Sequence, residues 1–191
     1  MNYIAERIAV HRLPGLIQSE EYADTIIRNL ADPRYSGRSY PDEDGDTANS
    51  AAIAGAAITA TLVYVLDEAA AQRLVGERNI ALGQIGRLIS LAAMRNVTIE
   101  VVPFSAGLRR GMLETFIILE FPEPEDSDVL FVETSRDMIT SRDEAGEISG
   151  YREVFEHLRS ISLGPDGTLA YLAKLAKQIT RNKVRQPNQL S

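Results

Sequence analysis

The chain is 191 residues long, 45% hydrophobic and 25% charged. A chain of that size hides roughly 70% of its unfolded surface on folding, which suits one domain with a real core and excludes a fibrous or mostly disordered protein. Twenty basic against 27 acidic residues leave a net charge of −7, which opposes direct binding of a phosphate backbone, since that needs clustered cations.

Cysteine is absent. Disulfides, thiolate metal sites and cysteine nucleophiles are therefore excluded, and a reducing cytoplasm is the expected home. No stretch approaches the ~20 apolar residues of a membrane span. The opening MNYIAERIAV lacks the basic-then-apolar order of a secretory signal.

Residues 3–10 read equally as a strand or a short helix. LPGL at 13–16 is a turn, because Pro14 fixes φ and Gly15 permits positive φ. Ser19 is placed to cap a helix over 19–31, with Glu20 and Glu21 in its first turn and Tyr22, Ala23, Ile26, Ile27 and Leu30 at helical spacing. Residues 32–47 form the longest loop signal, acidic and flexible. An Ala-rich, weakly helical stretch follows over 48–60.

TLVYVL (61–66) reads as a buried strand. DEAAAQRLV (67–75) reads as a short helix ended by Gly76. A second helix spans Asn79–Arg95, with Ile80, Ile85, Leu88, Ile89 and Ala92 on one face. Strand signals follow at 97–102, 113–121 and 128–134. In the first, Val97, Ile99 and Val101 alternate with Thr98 and Glu100, the pattern of an antiparallel strand with one wet face. Pro122 and Pro124 mark a hairpin. A helix is expected over 146–160, a GPDG turn at 164–167, and a last helix from Thr168 to about Asn182, whose face of Leu169, Leu172, Leu175, Ala176 and Ile179, with Tyr171 close by, reads as core in preference to a docking face for a second copy or another protein. The basic tail 183–191 frays. The order predicts one α+β domain over 1–182, with a largely antiparallel sheet of four to five strands packed with helices.

Several segments resemble a known family. LPGLIQSEEYAD (13–24), VLDEAAAQRLVG (65–76), NIALGQIGRLISLA (79–92), NVTIEVVPFSAG (96–107) and TFIILEFPEPEDSDVLFVET (115–134) occur in the order found in the effector domain of actinobacterial WhiJ-like, antitoxin-like transcriptional regulators. In that family the domain follows an Xre-type helix-turn-helix. The resemblance implies a non-enzymatic regulatory or sensor domain, here expected to lack the DNA-binding head. It would bind a small protein partner or a metabolite, with no cofactor, metal or membrane contact, and would be compatible with a homodimer. Where the family carries a polar, Arg-containing segment before the 61–66 strand, this chain has the uncharged TANSAAIAGAAITA (47–60).

The residues expected to contact a ligand or partner are Tyr64, Phe104, Gly107, Arg109 and Arg110. Gly107 reads either as a turn glycine or as a pocket rim. Arg109 and Arg110 read as solvated loop cations or as contacts for an anionic partner. The alternative function is a repurposed stand-alone enzyme of specialised metabolism with an apolar substrate pocket. Its catalytic candidates are Glu133, Asp67 and Glu68. Asp67 and Glu68 also read as acids at a helix N-terminus, and Glu133 as a group paired with Arg87 or Arg109. DEDGDT (42–47) lacks the length and terminal Glu of a calcium loop, His11 and His157 have no G-x-S-x-G elbow to serve, and no phosphate-binding glycine loop is present.

Overall fold

The structure is a computed structural model describing residues 4–9, 13–30, 61–74, 76–111, 115–121, 126–133, 138–142 and 146–181. The 32–47 loop, the 48–60 stretch, His11, the prolines of the 122–125 hairpin and the 183–191 tail lie outside the described residues. The strands are β1 (Ile4–Ala9), β2 (Thr61–Asp67), β3 (Val97–Val102), β4 (Thr115–Glu120), β5 (Val129–Glu133) and β6 (Met138–Arg142). The helices are α1 (Glu20–Leu30), α2 (Glu68–Gln72), α3 (Arg78–Ala92), α4 (Glu147–Ser160) and α5 (Gly164–Arg181).

The strands form one six-stranded sheet in the order β3-β2-β1-β4-β5-β6. The β1–β4, β4–β5 and β5–β6 pairings are antiparallel, and β1–β2 and β2–β3 are parallel. The class is α+β with an antiparallel majority, as the element order implied. The additional strand is β6, whose MITSR sequence carries too little apolar content to signal itself.

The parallel pairings change the character of β3. It is buried on both faces, as parallel strands usually are, and Glu100 is only 4% exposed. The alternating pattern of this segment therefore does not mark a wet face. Arg159 Nη2, 3.3 Å away, and Ser162 Oγ, 2.8 Å away, both donate to the Glu100 carboxylate, which is how a charge is kept in the interior.

Odd and even positions of β2 build two cores. Leu62, Tyr64 and Leu66, with Val97, Ile99 and Val101, pack against Tyr22 of α1, Ile85 and Leu88 of α3 and Leu172 of α5. Val63 and Val65, with Phe116, Ile118, Leu130 and Val132, pack against Ile148, Phe155 and Leu158 of α4. The sheet is thus sandwiched between helices, a layered arrangement that buries both of its faces.

The PGLIQS turn is held from a distance. Gln84 is fully buried in α3; its Oε1 accepts from Ser19 N at 2.7 Å and its Nε2 donates to Ile17 O at 2.9 Å. Gln18 Nε2 donates to Leu13 O at 2.6 Å. Ser19 Oγ accepts from Tyr22 N at 3.4 Å, the expected N-cap. At the other end of the chain, α5 starts at Gly164, four residues before Thr168, so the GPDG segment is the first helical turn and not a separate loop. Proline fits there because its missing N–H has no helical partner to lose. Thr168 itself is buried, its Oγ1 accepting from Val101 N at 2.9 Å along β3. Leu172 and Leu175 lie in the core as expected, and His157 is exposed.

Candidate functional site

The parallel β2–β3 register sets Asp67 opposite Val102, so both strands deliver their C-terminal ends to one place. The chain leaves β3 at Pro103 and makes a 3-10 turn over Phe104–Ala106, closed by Ala106 N to Pro103 O and Gly107 N to Phe104 O, each 3.0 Å. Gly107 follows with φ 67 and ψ −154, a conformation open essentially to glycine alone. Thus β2, α2 and the 103–111 loop bring Asp67, Glu68, Phe104, Gly107 and Arg109 together.

Asp67 and Arg109 form a buried ion pair, with side chains 8% and 5% exposed. Asp67 Oδ2 accepts from Arg109 Nη2, while Asp67 Oδ1 accepts from Ala69 N at 2.7 Å and caps α2. Arg109 Nη1 returns to Gly107 O at 2.8 Å. Burial pushes the Arg109 guanidinium below the ordinary arginine value. Asp67 is therefore a capping and pairing group, and Arg109 is an interior latch, in contrast to the solvated cation the loop sequence suggests.

Glu68 is the second tie. Its Oε2 accepts from Phe104 N at 2.6 Å and its Oε1 from Gln72 Nε2 at 2.7 Å. Tyr171 of α5 lies against the same pair: burial pushes its phenol up, and the Glu68 charge adds to that shift while Gln72 works against it.

At the far end of the loop, Gly111 has φ 75, and a Cβ there would sit 2.8 Å from Val154 Cγ1 and 2.9 Å from Leu158 Cδ1 of α4. Between these anchors the apolar side chains of Phe104 and Leu108 turn outward, 54% and 92% exposed. Arg110 is also exposed.

Tyr64 does not join this group. It is one of the largest fully enclosed side chains, set in the core between β2 and the α1–α3–α5 layer. A tyrosine in a six-residue apolar strand flanked by helices is core material. Glu133 ends β5, in register with Thr115 and Met138. It lies at the same end of the sheet as Asp67, but three strands and roughly 14 Å away along the hydrogen-bonding direction, so the catalytic candidates do not form one constellation.

Residues with no sequence prediction of a role are Gln84, Glu100, Leu108 and Tyr171. A usable signal existed for Gln84 alone: a polar residue on the stripe of Ala81, Ile85 and Leu88, where burial demands partners. A shallow polar pocket of about 520 Å³ opens where α4 passes to α5, bordered by Glu100, Glu156, Arg159, Ser160, Ser162, Leu163 and Gly164. Among the described residues no group of His, Asp and Glu is placed to hold a metal ion, and no helix is long and apolar enough to cross a membrane.

The described parts of the segments that carry the family resemblance lie in this one sheet, the helices packed on it and its end loops. A family model described as "Domain of unknown function (DUF5753)" matches residues 5–174. The chain belongs to that family. No curated protein and no solved structure matches the chain.

Proposed function

We propose that this DUF5753 chain is a non-enzymatic regulatory module, related to the effector domains of helix-turn-helix transcriptional regulators. It acts in the cytoplasm by binding a small protein partner or a metabolite at the end of the sheet where β2 and β3 stop. The observation that carries this reading is the way the acids of that end are used. Asp67 caps a helix and neutralises Arg109, and Glu68 holds a backbone N–H. Among the described residues both carboxylates are committed to partners of the chain itself, whereas a general base must be free to reach a substrate proton. What the same groups do instead is fix the shape of an exposed loop, which is the need of a recognition surface.

A net charge of −7 makes a phosphate backbone an unfavourable direct partner. A bound partner acts only through different affinities for different states of the module. The test is gene deletion with complementation in the native cell. Deletion is expected to shift a defined set of transcripts, and both wild type and a Glu133→Gln variant restore them. Unchanged transcripts would overturn the regulatory reading. Failure of Glu133→Gln at an unchanged melting temperature would favour the repurposed enzyme.

A further inference from the structure

We infer that the 103–111 loop is a preformed plug that inserts Leu108 and Phe104 into an apolar socket on a partner protein, with a carboxylate at the socket rim meeting Arg110. The inference rests on the regulatory reading above and names the partner's chemistry.

Ordering a loop on binding costs affinity, and a loop already fixed avoids that cost. Glu68 holds the amide of Phe104, Asp67 holds Arg109, Arg109 holds the Gly107 carbonyl, and Gly111 is wedged against Val154 and Leu158. The ties fall on both sides of Leu108 along the chain, at Phe104 and Gly107 before it and at Arg109 and Gly111 after it. Leu108 itself is 92% exposed, and Phe104 54% exposed. A long apolar side chain held outward on a fixed backbone is an anchor in waiting, and anchors of this kind carry most of the energy of an interface.

The electrostatics narrow the partner. Arg109 is cancelled by Asp67, and Glu68 is engaged by Phe104 N and Gln72. Arg110 is left as the tip's cation, with no ion pair among the described residues. A carboxylate on the partner is drawn to Arg110 and repelled by a chain of net charge −7, so the contact is oriented through the tip. A second copy would bring −7 against −7. A metabolite needs a concave site that encloses most of its surface, and Leu108 is 92% exposed. A nucleic acid needs more than one cation.

The experiment places a photo-crosslinking amino acid at Leu108 in the full chain in its native cell, with Ile139, 55% exposed on β6, as the control position. A discrete protein adduct is expected at Leu108 and not at Ile139. The adducted protein is then identified by mass, purified and titrated against the chain. Leu108→Asp, with the melting temperature unchanged, is expected to weaken binding about thirtyfold or more, the scale of an interface anchor. Arg110→Glu weakens it as well, and replacing the partner's rim carboxylate by Lys restores it.

Equal adducts at both positions, an adduct to nucleic acid or to a second copy, or an affinity unmoved by Leu108→Asp would each overturn the plug. The two readings fail separately. Shifted transcripts without a Leu108 adduct leave the regulatory module standing and remove the plug. A Leu108-dependent complex in cells whose transcripts do not respond to deletion does the reverse.

Discussion

Replacing Arg109 by Met tests the central latch of the loop. The substitution keeps most of the side-chain volume and removes the charge. Asp67 is then left 7% exposed, still accepting from Ala69 N but without its cation. Both side chains of the pair are under a tenth exposed, so solvent screening does little to soften the loss. Removing one member of such a pair typically costs about 3–5 kcal/mol, because an uncompensated charge stays buried. For a domain of this length each kcal/mol moves the melting temperature by roughly 2–4 °C, so a fall of about 6–20 °C is expected. The double variant Asp67→Asn, Arg109→Met buries no charge at all and keeps an oxygen to cap α2. It is expected to recover most of that loss, since apolar or neutral replacements of buried pairs are often close to neutral. Calorimetry of the wild type, both single variants and the double variant closes a double-mutant cycle. A melting temperature unchanged by Arg109→Met, or a double variant whose cost is the plain sum of the singles, would refute the claim that the two side chains act as one buried unit.

Other substitutions separate packing, backbone and titration effects. Gln84→Leu strands Ser19 N and Ile17 O, both now bonded by the one amide, and is expected to cost about 2–4 kcal/mol in urea unfolding with little change in the denaturant slope. The two loop glycines should differ. Gly107→Ala meets open space and is strained only by φ 67, whereas Gly111→Ala adds contacts of 2.8 and 2.9 Å to its φ of 75. A loss of about 1–2 kcal/mol is expected at 107 and a clearly larger one at 111; equal losses would mean that α4 yields freely to the new methyl group. The raised Tyr171 pKa favours the neutral phenol in the folded chain. Its contribution is complete below the unfolded tyrosine value of about 10 and is lost as pH rises from there through the folded value. Comparing melting temperatures across the alkaline range, Tyr171→Phe should lose stability less steeply than wild type, and identical limbs would contradict the assignment.

How much of this was legible in the sequence depends on the distance over which each feature is decided. Ser19 as a cap, the apolar stripe of α3 and the run of β2 are local facts, and local periodicity finds them. The parallel entry of β3 is not local. It follows from the return of the chain through α3 to the far side of β2, and an alternating hexapeptide cannot announce that its polar positions will be roofed by α4. Glu100 was misread for that reason: its partners, Arg159 and Ser162, stand about sixty residues further on. The candidate site shows the same division. Asp67, Glu68, Gly107 and Arg109 each stood out at a strand end or turn, but their convergence depends on the register that sets Asp67 opposite Val102. A shift of that register by one residue would send Asp67 to the opposite face of the sheet, and Arg109 would have no carboxylate to hold it. Tyr64 stood among the expected contacts and Glu133, a carboxylate ending an otherwise apolar strand, among the catalytic candidates of the alternative; the alternation of β2 places the first in the core, and the strand order β2-β1-β4-β5 holds the second away from Asp67. The Leu108 tip is the opposite case. Nothing in SAGLRRGM distinguishes an apolar residue buried by its loop from one pushed outward, because the direction is set by the ties on either side of it: Arg109 turned inward to Asp67, and Gly111 pressed against α4. Charge pairing in the interior is thus what gives the loop its shape, and a variant that breaks the Asp67–Arg109 pair is expected to disturb recognition as well as stability.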